Sequence, residues 1–399
     1  MGEASSLQWG IMKRGPLGFF VLLIGISGSA FSQGGYYGYP YEIPADPRSV
    51  AMGESFAGLP SNPAALMYNP AGLAGLNGAH ISYSYRGLNW VPPTEEWGFY
   101  SFNAAVATSF GVFAARYDRK SLGTMPVTTL ADPDGAGTKL NVYSHDIALG
   151  YALGLGRGFA VGVSAKYYDF VESVSGPSSS PSTPGSTTPA YLFDIGLTYT
   201  LPRLHSQANI EDSLTVGMSY QNIGTSWKVG TANPTITTES ELAQQEVALP
   251  QYFRLGLSYT MRVVPADPGG LSPLGVIIAG EFQSVQSSST PYYSVPWRTG
   301  DSFWGLGVEC TGFEILSLRA GWSLKPGSDF EGEGGKGALR YGAAVRMPLR
   351  RIGVDAPFLV SFEYAVIPLY RLNYWAQIGG EKSSVPVFSI GISYTGYPW

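Results

Sequence analysis

The sequence predicts an all-β protein: a transmembrane antiparallel β-barrel of about fourteen strands with an N-terminal plug, or hatch, in its lumen. Three observations lead there. Only 13% of the 399 residues are charged, against about 25% in ordinary soluble domains. From residue 78 onward, apolar residues alternate with small or polar ones at a period of two, the mark of strands with two different faces. After the N-terminal region no run of roughly 18 apolar residues occurs that could cross a bilayer as a helix, so a closed barrel is the remaining way to span one.

The N-terminus reads as an export signal. Lys13-Arg14 precede an apolar run, Leu17 to Ile26, and then Ser27-Gly28-Ser29-Ala30-Phe31-Ser32, with Ala30 and Ser32 in the small-residue positions before Gln33. That basic, apolar, small order is a signal peptide, assigned to residues 1–32. Glu3 and Trp9 sit badly ahead of the basic pair, so translation is expected to start at Met12. N-terminal sequencing of a trapped precursor checks this; a precursor beginning at Met1 would overturn it.

Residues 33–77 are assigned to the hatch. After a Gly/Tyr-rich lead, Gly34 to Tyr41, comes Arg48 to Leu76, apolar and rich in small residues but broken by Pro60, Pro63 and Pro70. It cannot be one long helix. Asn69-Pro70 reads as an N-cap followed by proline at the first helical position, opening a short helix through Gly72-Leu73-Ala74. A segment this apolar needs somewhere to go, and the lumen of the following barrel can house it.

Residues 78–399 are assigned to the barrel. In Phe159 to Tyr167, one face carries Phe159, Val161, Val163, Ala165 and Tyr167, and the other Ala160, Gly162, Ser164 and Lys166. Aromatics end the apolar face, as at a membrane interface. The second face is mostly Gly, Ser, Ala and Thr, with charges of both signs: Arg116, Asp146, Lys166, Asp194, Arg254, Glu281, Glu309, Arg319, Arg340, Arg346 and Glu363. A filled or wet lumen suits that mixture, and unpaired charge there is costly. Strands are expected near 78–87, 97–107, 110–119, 143–154, 158–170, 190–201, 213–222, 251–262, 274–284, 302–311, 313–324, 338–348, 356–366 and 386–396. Short turns such as Thr108-Ser109, Gly156-Arg157 and Thr311-Gly312 then alternate with long connections such as 120–142, 171–189 and 223–250, the asymmetry of outer-membrane barrels. Leu369 to Ile378 is an open stretch that could add a strand. Ser175 to Pro189 is a Ser/Thr/Pro-rich loop.

Several chemistries are excluded or weak. A net charge of −5 without a basic run gives no reason to expect nucleic acid. The single Cys310 cannot form an intrachain disulfide, and His80, His145 and His205 are too scattered for a histidine-rich metal site; no cofactor is expected. Asp132-Pro-Asp134-Gly135 lacks the further oxygen ligands of a calcium loop and reads as a turn. His145-Asp146 comes without a Gly-x-Ser-x-Gly elbow, and alternation puts the two side chains on opposite faces, so no catalytic residue is assigned. Gly154-Leu-Gly156-Arg-Gly158 is a turn, since no helix follows it.

The order of these features resembles the PorV/PorQ family, a branch of the superfamily of FadL-type long-chain fatty-acid transporters. Arg48-Ser-Val-Ala-Met52-Gly53-Glu-Ser-Phe56-Ala57 is similar to its opening motif, and Tyr68-Asn69-Pro70-Ala71-Gly72-Leu73-Ala74 to its hatch motif. Asp146 to Tyr151 with Phe159 to Tyr167, Asn222-Ile223-Gly224, Leu249-Pro250 with Arg254 to Tyr259, Gly307-Val-Glu309 and Leu318 to Trp322 continue the match along nearly the whole mature chain. One departure matters: where members usually carry an acidic pair before the hatch Asn-Pro, this chain has Leu59-Pro60-Ser61-Asn62-Pro63. The resemblance implies an outer-membrane barrel of fourteen strands with a hatch. It further implies a role in type IX-type protein secretion or surface assembly, with secretion-system or cargo proteins as partners at the long loops. Candidate loop anchors are Trp227, Tyr292, Tyr293 and Trp297, which suit an interfacial belt equally. The alternative is a FadL-like transporter of long-chain fatty acids or other hydrophobic small molecules. Outer-membrane lipid is a partner in both.

Overall fold

A computed structural model describes residues 44–59, 63–87, 97–126, 139–175, 189–205, 209–228, 246–247, 249–265, 270–287, 302–324, 337–368 and 384–394. The expected signal segment, the Gly/Tyr lead, Asp132 to Gly135, Leu369 to Ile378 and the anchors Tyr292, Tyr293 and Trp297 lie outside them, as does most of the Ser/Thr/Pro-rich loop.

Fourteen strands close a barrel in chain order: β1 (Ala79–Gly87), β2 (Trp97–Thr108), β3 (Gly111–Pro126), β4 (Lys139–Gly156), β5 (Phe159–Ser175), β6 (Ala190–Pro202), β7 (Ile210–Gly224), β8 (Gln251–Val263), β9 (Leu274–Ser287), β10 (Ser302–Gly312), β11 (Leu316–Leu324), β12 (Ala338–Pro348), β13 (Phe358–Pro368) and β14 (Ser384–Tyr394). Each pairs antiparallel with its sequence neighbours. β14 closes on β1 in register from Ala79↔Tyr394 to Arg86↔Val387, so no strand edge is left open. A two-residue pairing of Trp227–Lys228 with Glu246–Val247 stands apart from the barrel.

The alternation sorts side chains as its period demands. Val163, Ile195, Leu306 and Ile390 are exposed on the outside, whereas Ser164, Asp194, Arg319 and Ser389 are buried on the inside. Aromatic pairs end the outward rows at both levels: Phe159 lies 4.3 Å from Tyr199, and Tyr167 5.7 Å from Tyr191, ring centre to ring centre. An apolar belt between two aromatic girdles is the exterior of a membrane-spanning barrel.

At the short-turn end, Arg157-Gly158 joins β4 to β5 with both residues at positive φ (53° and 85°) between the paired Gly156 and Phe159. That is a primed two-residue turn, whose twist matches that of its strands. Strand ends differ from expectation: the turn expected at Thr108-Ser109 falls at Ser109-Phe110, and that expected at Gly156-Arg157 at Arg157-Gly158, because Thr108 and Gly156 still pair across their hairpins. β3, β4 and β5 rise further, with Pro126 pairing Lys139 and Lys139 pairing Ser175, because pairing resumes beyond a bulge at Ser121/Thr124. The turn expected at Thr311-Gly312 falls instead at Phe313–Ile315. Pairing of Leu274 with Gly312 and of Gly312 with Leu316 carries the ladder through, and Phe313 and Glu314 then turn the chain at φ 51° and 56°.

Candidate functional site

The described hatch lies inside this wall. It begins with a five-residue helix, α1 (Pro47–Ala51), capped by Asp46, whose carboxylate accepts the Ser49 N–H at 2.8 Å. Two short 3₁₀ segments follow, Pro63–Met67 and Pro70–Gly75. Asn69 caps the second as its sequence position predicts, Oδ1 accepting the Ala71 N–H at 3.1 Å. Its Nδ2 also donates to Ala57 O (2.8 Å) and to Leu197 O of β6 (3.2 Å), so one side chain ties two hatch segments to the wall.

Apolar packing supplies the rest of the seating. Leu66 and Leu73 pack against Ala105, Ala114, Ala148 and Ala152. Val50 and Ala51 pack against Ala365, Ile367, Val385 and Val387. Met52, Phe56 and Tyr68 cluster with Ala279. Each large side chain removed from an aqueous lumen contributes about 1.5–3 kcal/mol.

Close approach explains the many inward glycines. A Cβ added at Gly162 would lie 2.3 Å from the Pro70 carbonyl carbon, at Gly217 1.9 Å from Ala57 O, at Gly256 2.3 Å from Gly58 N, and at Gly307 2.4 Å from Met52 O. They are cross-strand neighbours, Gly162 with Gly196, Gly217 with Gly256 and Gly307 with Gly321. Together they form a glycine floor on which the hatch backbone rests without intervening side chains.

The inward charges pair around this floor. Toward the long-loop end, Arg116 meets Asp146 at 2.6 Å and Asp118 at 3.3 Å, Lys166 meets Asp194 at 2.6 Å, and Arg254 meets Glu281 at 2.6 Å. Glu281 also accepts the Phe56 and Ala57 N–H groups at 2.6 and 2.7 Å. Glu54 of the hatch pairs with Arg340 at 2.7 Å. Toward the short-turn end, Glu309 collects Arg48 (2.7 Å), Arg319 (3.1 Å) and Arg346 (3.7 Å), and Arg319 reaches Glu363 at 2.7 Å. Wall hydroxyls also hold the hatch, Ser219 Oγ donating to Tyr68 O (2.6 Å) and Ser258 Oγ to Gly58 O (2.7 Å). Burial, and then the nearby Glu363 carboxylate, push the Asp46 carboxyl up to about 6.

On the long-loop side of the hatch, apolar inward residues stand among polar and charged ones such as Arg86, Lys120, Gln283 and Arg340. Tyr252, Val285 and Phe303 form one cluster, and Phe99, Leu192 and Ile367 are buried inward at the same end. Beneath them is a polar pocket of about 20 Å³ lined by Arg116, Lys166, Gln221, Asn222, Tyr252 and Arg254, room for about one water.

Each inward charge named from the sequence lies in one of these groups. Sequence reasoning passed over Asp46-Pro47, which carries the same cap signature as Asn69-Pro70, and over Glu54, Asp118 and Lys120. His145 and Asp146 part as the alternation requires: Asp146 is buried on Arg116, and His145 Nδ1 lies 2.7 Å from Tyr117 Oη on the outer face. Of the loop anchors, only the backbone of Trp227 falls among the described residues.

Fold and site together define a closed, lipid-facing barrel with the described hatch segment packed inside it. No family model matches the chain, and no curated protein matches it. Among solved structures, it is similar to the toluene transporter TbuX of Ralstonia pickettii, with 14% identity and a TM-score of 0.44 over 87% of this chain and 97% of that one. The toluene transporter TodX of Pseudomonas putida gives 11% identity and 0.41 over 92% and 99%. A FadL homologue of Pseudomonas aeruginosa gives 13% and 0.42 over 92% and 100%. These likenesses carry no substrate, gate or binding residue across to this chain.

Proposed function

We propose that this protein is an outer-membrane barrel that admits hydrophobic small molecules from its long-loop side, with the hatch as the stopper they must pass. One observation carries the reading: the apolar inward cluster of Tyr252, Val285 and Phe303 lies on the long-loop side of the hatch, next to the point where Glu281 ties the Phe56 and Ala57 amides to the wall. An apolar solute would leave water for that cluster at about 25 cal/mol per Å² buried. For a solute to pass, the hatch below must give up the hydrogen bonds of Glu281, Asn69, Ser219 and Ser258, the Arg48–Glu309 and Glu54–Arg340 pairs, and part of its apolar seating. The alternative implied by the family resemblance, a secretion or assembly role through cargo proteins bound at the loops, rests on anchors whose side chains lie outside the described residues.

The test is uptake of radiolabelled oleate and toluene by cells that lack other transporters for them and express this protein. Uptake several-fold above the empty-vector level, lost in Phe303→Asp, is the expected result. Uptake at vector level from a folded, membrane-inserted protein would overturn the proposal. Co-purification of secretion components with that inactive protein would favour the alternative.

A further inference from the structure

A cavity opens on the outside of the wall. It measures about 400 Å³, within the roughly 300–1,000 Å³ of ligand sites. Its floor is Gly280 of β9, which faces lipid. Leu257 and Leu306 stand directly across from it on β8 and β10, Phe282 and Trp304 pair one step further along, and Trp322 lies beyond Leu306 on β11. The Phe282 and Trp304 rings sit 4.7 Å apart, closing the groove toward the long-loop girdle. The one charged residue along it, Glu281, turns its carboxylate inward to Arg254, so the rim is apolar.

Gly280 differs from the floor glycines inside. An added Cβ would meet Leu306 Cδ2 at 3.4 Å and nothing closer, which is ordinary contact, and its φ is not positive. Neither the hatch nor the backbone requires glycine there. What the missing side chain creates is the depression itself.

We infer that this groove is a binding site for one acyl chain of an outer-membrane lipid. It opens onto the apolar belt and is continuous with it, and the phase bathing that belt is hydrocarbon. An aromatic-walled recess running from Gly280 toward the girdle at Trp304 aligns a chain with its headgroup at the interface. The site rests on the lipid-facing exterior and is independent of what crosses the lumen.

Native mass spectrometry of the full chain, extracted in mild detergent, tests it. Wild type should retain one two-chain lipid that Gly280→Leu loses, while Ala165→Leu, on the exposed belt of β5, keeps it. Folding is checked by heat-modifiable mobility. If Gly280→Leu does not fold, Gly280→Ala replaces it and should lower occupancy. Equal retention by wild type and the Gly280 variant, or none by wild type, would overturn the site. So would a disulfide-linked dimer through Leu306→Cys in a Cys310→Ser background, which would assign the groove to a second copy. Because uptake is not read here, a failed lipid site leaves the transport reading standing, and a failed transport reading leaves the lipid site standing.

Discussion

At the scale of single residues, Glu281 joins wall to hatch most directly. Its two oxygens take Arg254 on one side and the Phe56 and Ala57 amides on the other. Removing one member of such a buried set strands the others, at a cost of about 3–5 kcal/mol. Glu281→Ala should therefore free the Phe56 and Ala57 amides to exchange with deuterium far faster than in wild type, with Glu281→Gln in between. Unchanged protection would show that the hatch is seated without this residue. Asp46 gives a pH dependence whose sign can be worked out. Its carboxyl sits at about 6 when seated, against an ordinary 3.8, and faces Glu363, Arg319 and Arg48. Between those values the seated hatch holds a proton that the released hatch does not. Seating is thus favoured as pH falls through this window and weakened as pH rises through 6, by up to roughly 3 kcal/mol. Hatch protection should rise from pH 7 to pH 5 in wild type but stay flat in Asp46→Asn, which keeps the cap oxygen.

At the scale of elements, the strands were legible and the floor was not. Period-two alternation located all fourteen strands because one face meets lipid and the other does not, and a one-residue slip would invert both. Asn69-Pro70 announced its own cap. Their ends were less legible: nothing local in Thr311-Gly312 shows that pairing with Leu274 carries β10 onward, since that is decided by a neighbouring strand. The inward glycines were visible as composition, yet their reason is a contact with residues far away in sequence, Gly217 with Ala57 and Gly307 with Met52. Their role predicts a contrast. Gly217→Val drives a side chain into the hatch backbone and should unseat it, raising hatch exchange and protease cleavage within residues 44–77. Gly280→Ala, one strand face away, should leave both unchanged. Equal effects of the two would mean that the floor does not hold the hatch.

At the scale of the whole molecule, fourteen strands closed without an edge give a wall that lipid surrounds, and a short N-terminal segment fills what would otherwise be an aqueous pore. The packing of Leu66, Leu73, Met52 and Phe56, the glycine floor and the paired charges all act on that one segment. On this reading the described hatch seals the lumen at rest. Ionic conductance of the purified full chain in a planar bilayer tests it most directly, beside a variant lacking residues 44–77. No steady open-channel steps are expected from wild type, and clear steps from the deletion. Wild-type steps as large as those of the deletion would contradict that reading.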